Sequence, residues 1–190
     1  ISVAVANSAL TVDLHAGQIQ GFFDIPTDNL FAAPVFINDI KNKFDSNKSI
    51  IVSPDVGGVV RARAIAKRVD MDLAIIDKRR EKAGISEVMN IIGDVRDKHC
   101  ILIDDICDTA GTLTNAALAL KQKGAKGVFA YITHGVLSGP AIERINNSPI
   151  DKMIITDSIL ANENVISCTK VEQLTIATLI GEAINRISDN

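Results

Sequence analysis

Short apolar runs alternate along this chain with longer segments of helical periodicity, and this alternation constrains the fold more than any other feature. The runs are nearly continuous, as in the buried strands of a parallel sheet, whereas the strands of a β-sandwich alternate apolar with polar residues. Strands are predicted at residues 10–14, 49–53, 73–77, 100–104, 127–133 and 152–156. Such strands are joined by right-handed helical crossovers, so we predict an α/β fold with a doubly wound, mainly parallel sheet.

The segments between the strands have the pattern of amphipathic helices. Apolar residues recur at three- and four-residue spacing, with charged residues on the other side. Helices are predicted at residues 38–44, 59–69, 113–123 and 175–187, and Gly124 provides the stop expected after the third of them. The polar stretch 78–86 predicts a loop.

Composition excludes several classes of protein. Twenty Lys and Arg against 23 Asp and Glu give a net charge of -3, which argues against a protein that coats nucleic acid or an anionic membrane. No apolar stretch approaches the roughly 20 residues needed to cross a bilayer. Cys100, Cys107 and Cys168 are odd in number and form no CxxC pair, so a disulfide framework is not expected. We therefore predict a protein of the reducing cytoplasm.

The strongest chemical signal is the end of the predicted strand 100–104. The apolar run leads into two adjacent acids, Asp104 and Asp105, and then into a loop of small residues that opens a helix. The hydroxyls of Thr109 and Thr112, with backbone N–H groups near Gly111, form a cradle suited to a phosphate monoester. The two acids would repel that phosphate but suit hydroxyl groups or a metal ion nearby, and a phosphorylated sugar presents both features. The alternative is an ordinary βα turn with an Asp or Thr N-cap.

This strand, acid pair and D-T-A-G-T loop resemble the phosphoribosyl diphosphate loop of type I phosphoribosyltransferases and ribose-phosphate diphosphokinases. Other segments favour the diphosphokinases. Residues 11–30 look like their D-L-H-x-x-Q-I-Q-G-F-F-D-I-P signature, and residues 53–58 look like their diphosphate loop. Residues 77–80 with 86–90 look like their catalytic loop, and residues 133–141 look like a late phosphate-binding stretch.

The resemblance implies a sheet of the type I phosphoribosyltransferase kind and a specific reaction. The β,γ-diphosphoryl group of ATP passes to the 1-hydroxyl of ribose 5-phosphate, which gives 5-phosphoribosyl 1-diphosphate and AMP for nucleotide biosynthesis. It also implies Mg²⁺ as cofactor, inorganic phosphate as activator, and a homo-oligomer, either a dimer or a hexamer. No nucleic-acid or membrane partner is expected.

The resemblance further implies that residues 1–30 end an N-terminal phosphoribosyltransferase-like domain and that residues 31–190 form a C-terminal one with the ribose 5-phosphate site. Family members are longer and begin with a similar α/β half that supplies much of the adenine pocket. We expect a chain without that half to bind ATP poorly.

The site residues implied by the resemblance fall into four groups. The sugar phosphate would contact Asp104, Asp105, Asp108, Thr109, Ala110, Gly111 and Thr112. The diphosphate would contact Asp55, Val56, Gly57 and Gly58. The catalytic cations would be Lys78 and Arg80, followed by Glu81 where the family often has Pro. The metal ligands would be His15, Asp13, Asp24, Asp28 and Asp55.

Elementary chemistry agrees with these roles, and each has an alternative. Hard oxygen ligands with one histidine and no cysteine favour Mg²⁺, although His15 by itself could be a structural histidine. Cations beside two phosphate loops would stabilise the charge that develops during transfer, whereas a basic run is otherwise a solvated face. Residues 138–141 could cap a helix or bind an allosteric phosphate.

Two other functions compete with the synthetase. A salvage-type phosphoribosyltransferase would share residues 104–112, but it would not explain the acids between residues 13 and 28 or the cations at 78–80. A non-catalytic regulatory homologue would keep the fold and lose ligands or cations. All the recognisable ones are present here.

Overall fold

The computed structural model describes residues 6–79 and 88–188, which form two sheets and the helices around them. The strands are β1 (Ala9–Val12), β2 (Thr27–Leu30), β3 (Ser49–Ser53), β4 (Asp72–Arg79), β5 (Val88–Ile92), β6 (His99–Cys107), β7 (Gly127–Gly135), β8 (Lys152–Thr156) and β9 (Val171–Leu174). The α-helices are α1 (Ala33–Lys43), α2 (Val59–Val69), α3 (Gly111–Gln122), α4 (Ala141–Asn147), α5 (Glu163–Ser167) and α6 (Ala177–Ser188).

The larger sheet confirms the predicted architecture. Its seven strands lie in the order β5-β4-β3-β6-β7-β8-β9. Every neighbouring pair is parallel except β4 and β5, which are antiparallel. The chain leaves β3 through α2 towards β4 on one side and leaves β6 through α3 towards β7 on the other. The carboxyl ends of β3 and β6 therefore flank a topological switch point, where open α/β sheets bind ligands.

One boundary of the predicted loop 78–86 was wrong, because β4 continues through Lys78 to Arg79. Strand β5 supplies the reason: it pairs antiparallel with the end of β4, with Lys78 opposite Met89, so polar residues here gain backbone hydrogen-bond partners. Residues 80–87 lie outside the described part of the chain.

The core consists of one cluster on each face of the larger sheet. Side chains of a strand point alternately to opposite faces. In β6, Cys100 and Leu102 pack in the cluster beneath α3 and α4, whereas Ile101 and Ile103 pack in the cluster beneath α1 and α2. The same alternation continues at the end of β6, where it turns the side chains of Asp104 and Asp105 towards different faces of the sheet.

The smaller sheet pairs β1 with β2 in parallel. Asp13 follows β1 and connects it to the larger sheet, because its carboxylate accepts hydrogen bonds from the Ala32 N–H at 3.0 Å and from the Thr133 hydroxyl in β7 at 2.7 Å. The domain boundary at residue 30 remains a prediction. Cys100, Cys107 and Cys168 are buried and form no disulfide. None of the helices in the described residues has the length and apolar character needed to span a membrane.

Candidate functional site

A pocket of about 230 Å³ lies where β6 passes into α3. Its lining consists of Asp55, Asp104, Ile106, Cys107, Asp108, Thr109, Ala110, Gly111, Thr112, Leu113 and Ile132. The N-cap residue of α3 is Ala110, which has a left-handed conformation with φ 60° and offers no side-chain cap. The first N–H groups of a helix have no acceptor within it, so this end of α3 presents donors and a positive potential at the pocket.

The loop before α3 is held by the segment between β7 and α4. The N–H groups of Leu137 and Ser138 donate to the carbonyls of Cys107 and Asp108 at 3.1 and 3.0 Å. The Ser138 hydroxyl donates to the Asp108 carboxylate, and Arg144 Nη1 donates to the Thr109 carbonyl at 2.9 Å. Ser138 therefore supports the loop, and α4 begins without a side-chain cap.

The two acids at the end of β6 face different elements. Asp104 follows Cys100 and Leu102 in the alternation and lines the pocket beneath α3. Asp105 follows Ile101 and Ile103 towards the α2 face, and its side chain is only 3% exposed. The pocket lining includes Asp104 and not Asp105. That both acids contact the ligand stays a prediction.

Asp105 is held through both carboxylate oxygens. Its Oδ2 lies 2.8 Å from His15 Nδ1, and its Oδ1 lies 3.2 Å from Arg61 Nη1. The same guanidinium nitrogen lies 3.3 Å from Asp104 Oδ1, which also accepts a hydrogen bond from the Asp105 N–H at 2.9 Å. Arg61 therefore bridges the acid pair from α2.

The environments of the two acids move their pKa values in opposite directions. Burial, followed by the contact with Asp105 and the negative charges of Asp105 and Asp55, raises the pKa of Asp104. Burial also acts to raise the pKa of Asp105, but hydrogen bonds to Asp104 and His15 and the charge of Arg61 outweigh it, so the pKa of Asp105 is lowered. Asp105 is thus the more acidic member of the pair, and the surrounding groups balance the negative charge of Asp104 less well.

Asp55 closes the other side of the switch point, after β3. Its Oδ1 accepts from the Gly58 N–H at 2.9 Å, and its carbonyl accepts from the Ser53 hydroxyl at 2.7 Å. A Cβ atom added at Gly58 would lie 3.0 Å from Ser53 Oγ, and one at Gly57 would lie 3.4 Å from Asp55 Oδ1. A side chain at Gly58 would therefore displace the Ser53 hydroxyl by a few tenths of an ångström, while Val56 and Gly57 are exposed beside it.

The five predicted metal ligands do not converge. Asp13 is buried and engaged with Ala32 and Thr133, whereas Asp24 and Asp28 are exposed near β2. Within residues 6–79 and 88–188, no three His, Cys, Asp or Glu side chains are arranged to hold a metal ion. Only His15 and Asp55 remain near the acid pair, His15 through Asp105 and Asp55 through its charge on Asp104.

Lys78 lies at the same edge of the sheet as the pocket. Strand β4 pairs with β3 through Ile75 opposite Ser53, and Lys78 lies three residues further towards that edge. Ala74 and Ile76 pack in the cluster beneath α3, so strand alternation places Lys78 on the α3 face, as it does Asp104. Arg80 lies outside the described residues.

Sequence reasoning missed Arg61. The signal was present, because Arg61, Ile65 and Val69 are spaced by four and form one face of α2, with Ile65 and Val69 buried. A charged residue in line with buried apolar ones, one turn after a glycine loop, indicates a cation that points towards the sheet.

The comparisons with known proteins agree with this geometry. The sequence family described as the phosphoribosyl synthetase-associated domain matches residues 81–190. A ribose-phosphate pyrophosphokinase from Granulibacter bethesdensis is 65% identical over 189 residues, and the match covers 100% of this chain and 61% of the relative. One from Hyphomonas neptunium is 61% identical over 190 residues, with the same coverage of 100% and 61%. The predicted resemblance to ribose-phosphate diphosphokinases is confirmed.

Solved structures give the same result for the fold. Phosphoribosylpyrophosphate synthetase from Mycobacterium smegmatis superimposes with a TM-score of 0.91 at 35% identity, covering 100% of this chain and 61% of that one. Orotate phosphoribosyltransferase from Aeropyrum pernix, at 16% identity, has a TM-score of 0.53 over 80% of this chain and 74% of its own, which shows a shared fold only. The chain spans 61% of the length of the synthetase relatives that it matches.

Proposed function

Because the chain belongs to the phosphoribosyl synthetase-associated domain family, we propose that it carries the ribose 5-phosphate site of a ribose-phosphate diphosphokinase. One observation carries the proposal: a single pocket combines the uncapped start of α3 with the carboxylate of Asp104. A phosphate and a polyol are the two parts of ribose 5-phosphate, and these two features recognise one each.

The 5-phosphate binds at the start of α3. The N–H groups of the first turn and the hydroxyls of Thr109 and Thr112 donate to its oxygens, and Ala110 and Gly111 leave room for close approach. Asp108 acts indirectly, because its hydrogen bonds with Ser138 hold the loop in place.

The ribose hydroxyls bind to Asp104. Its carboxylate accepts hydrogen bonds from a diol in a site that is largely shielded from water, where each bond is worth more than in solution. Asp105 lies behind it and contacts no ligand directly, so we assign it a supporting role.

Mg²⁺ fits this donor set. Burial and like charges raise the pKa of Asp104, which marks a surplus of negative charge that a divalent cation would offset. Mg²⁺ in proteins is usually bound by one or two carboxylates together with substrate phosphates, and Asp55 provides such a carboxylate beside the diphosphate loop. His15 would contribute Nε2, since its Nδ1 faces Asp105, an arrangement typical of metal-binding histidines. Such an ion would neutralise charge on the diphosphate.

The transfer itself depends on positioning and electrostatics. The 1-hydroxyl of ribose 5-phosphate attacks the β-phosphorus of ATP, and the bond from that phosphorus to the oxygen of AMP breaks. Backbone N–H groups of Val56 and Gly57 hold the diphosphate, while the Gly58 N–H fixes the Asp55 carboxylate, and Lys78 and Arg80 stabilise the negative charge that develops on the diphosphate. The cytoplasmic location, a homo-oligomeric assembly and activation by inorganic phosphate belong to the same proposal.

The test is calorimetric titration of the chain with ribose 5-phosphate, followed by transfer from ATP labelled at the γ-position. We expect saturable binding of ribose 5-phosphate. With Mg²⁺ present and ATP supplied at high concentration, to offset the weak ATP binding expected of this chain, we also expect label in 5-phosphoribosyl 1-diphosphate. No binding of ribose 5-phosphate would contradict the proposal. Reaction of 5-phosphoribosyl 1-diphosphate with a nucleobase, without transfer from ATP, would identify a phosphoribosyltransferase instead.

Thr112→Val should weaken binding of ribose 5-phosphate about tenfold, because one hydrogen bond to a charged group is worth roughly 1.5–3 kcal/mol. The substitution removes the hydroxyl and keeps the size of the side chain. Calorimetry with ribose as the control ligand separates the phosphate contact from the rest, because ribose affinity should not change. An equal loss for both ligands would contradict the role of Thr112.

Asp104→Asn should weaken binding of ribose 5-phosphate about thirtyfold, because the hydroxyls lose a charged acceptor worth roughly 2 kcal/mol. The same substitution should leave the melting temperature unchanged or raise it, since a buried carboxylate with a raised pKa destabilises the folded state when it is ionised. Calorimetry and thermal unfolding at neutral pH measure the two effects. A lower melting temperature together with unchanged affinity would assign Asp104 a structural role.

A further inference from the structure

The two acids of the proposed ribose 5-phosphate site, Asp104 and Asp105, are contacted by a cation from α2, Arg61. Arg61 is on the first turn of α2, outside the pocket lining, and its side chain is 24% exposed. One nitrogen, Nη1, lies 3.2 Å from Asp105 Oδ1 and 3.3 Å from Asp104 Oδ1. No other Lys or Arg has a described ion pair with either acid within the parts of the chain that the structure covers.

In this arrangement Arg61 balances the negative charge of the two acids. Two carboxylates on adjacent residues repel each other, and burial makes that repulsion stronger than in water. The Asp105 side chain is 3% exposed, and among the described residues its ion-pair partners are His15 and Arg61. The His15 side chain is 75% exposed and carries a charge only when it is protonated, which leaves Arg61 as the permanent cation.

We propose that Arg61 is a positioning residue of the ribose 5-phosphate site, which acts through Asp105 to hold Asp104 in the orientation that receives the ribose hydroxyls. This inference rests on the proposed function and deepens it. With Arg61 in place, Asp105 stays fixed towards α2, and Asp104 keeps its position in the pocket lining while its Oδ1 contacts Arg61. Without Arg61, the two carboxylates repel each other and turn apart, and the pocket loses an oriented acceptor.

The geometry also predicts which substitution is tolerated. Both contacts come from one nitrogen rather than from the fork of the guanidinium, so the ammonium group of a lysine can replace much of the effect. Gln keeps a polar amide but carries no charge, and its side chain is two bonds shorter than that of Arg. The helix offers a matched control as well, because Arg63 lies two residues further along α2, is exposed, and points away from the side of Arg61.

Binding of ribose 5-phosphate measured by calorimetry tests the proposal. Arg61→Gln should raise the Kd at least tenfold, Arg61→Lys should stay within about threefold of the wild type, and Arg63→Gln within about twofold. The transfer assay should show a higher KM for ribose 5-phosphate with a smaller change in kcat. A general loss of structure would instead lower the amount of active protein without raising KM.

A double-mutant cycle shows whether Arg61 acts through Asp105. In an Asp105→Asn background, Arg61→Gln should change the Kd by less than about threefold, because the charge that Arg61 balances is gone. Equilibrium unfolding of the same four proteins gives a readout that needs no ligand: the double variant should be more stable than Arg61→Gln, which leaves a buried charge without its partner.

The outcomes separate this inference from the proposed function. A wild-type chain that binds no ribose 5-phosphate contradicts the proposed function and the positioning role with it. Wild-type binding that Arg61→Gln leaves unchanged, or losses that add fully in the cycle, contradicts the role of Arg61 alone. If Arg61→Gln does not fold, Arg61→Lys and the double variant decide the question, because neither leaves an unbalanced buried charge.

Discussion

Lys78→Ala should lower the rate of diphosphoryl transfer about a thousandfold while the affinity for ribose 5-phosphate stays within about twofold of the wild type. The charge that develops on the transferred group appears only in the transition state, so a cation aimed at it contributes to the rate more than to sugar binding. Strand alternation places Lys78 on the α3 face at the edge where the pocket opens. Transfer of label from ATP measures the rate, and calorimetry measures sugar affinity.

Lys67→Ala is the control for Lys78. Lys67 is exposed in the last turn of α2, which lies at the opposite edge of the sheet from the pocket. Its removal changes the net charge by the same amount without touching the site. Affinity for 5-phosphoribosyl 1-diphosphate provides a second readout of Lys78, since this ligand carries the transferred group and should bind more weakly to Lys78→Ala. Equal rates for Lys78→Ala and Lys67→Ala would show that Lys78 belongs to a solvated face.

Asp13→Ala should reduce the free energy of unfolding by about 3 kcal/mol. The carboxylate is 4% exposed and accepts hydrogen bonds from the backbone of Ala32 and from Thr133, both of which are fully buried. Alanine would leave both donors without a partner in the interior. Asp13 also has a φ of 44°, which alanine adopts less readily than aspartate or asparagine. Urea denaturation followed by circular dichroism measures the loss.

Asp13→Asn distinguishes this structural role from metal binding. Asparagine keeps an oxygen acceptor and tolerates the left-handed backbone, so its cost should be about 1 kcal/mol. A metal ligand would show the opposite pattern, with both substitutions weakening the dependence of transfer on Mg²⁺ and neither changing stability in its absence. An Asp13→Ala protein as stable as the wild type would refute the proposed anchoring of β1 to the larger sheet.

Much of the fold and part of the candidate site could be predicted from patterns within short segments of the sequence. The apolar runs identified six strands, and the spacing of apolar residues identified helices at or overlapping α1, α2, α3 and α6. The short helices α4 and α5, and the strands β2 and β9, carry too few apolar residues for their periodicity to stand out. Strand β5 is mostly apolar and was missed because residues 86–90 were interpreted as part of a catalytic loop. The loop at residues 108–112 could be predicted as a candidate phosphate cradle because such a cradle is made by consecutive residues.

Contacts between distant parts of the chain were less predictable. Asp13 looked like a metal ligand because it lies near His15, Asp24 and Asp28 in sequence, yet its partners are Ala32 and Thr133. Arg61 looked like one more charge on an amphipathic helix, yet it bridges Asp104 and Asp105, which follow it by 43 and 44 residues. Such pairings depend on which faces of which elements meet.

The sequence by itself determined the strand–helix alternation and the residues of the candidate phosphate loop, because each follows from periodicity or from a short segment, whereas the switch point between β3 and β6 follows from the strand order of the folded sheet. Only the tertiary structure decided which groups each of the two adjacent acids contacts. A strand turns successive side chains to opposite faces, so Asp104 lines the pocket beneath α3 while Asp105 contacts His15, and Arg61 bridges the two acids. The packing of the helices on the sheet decides which helix covers each face. The different contacts of Asp104 and Asp105 follow from that packing.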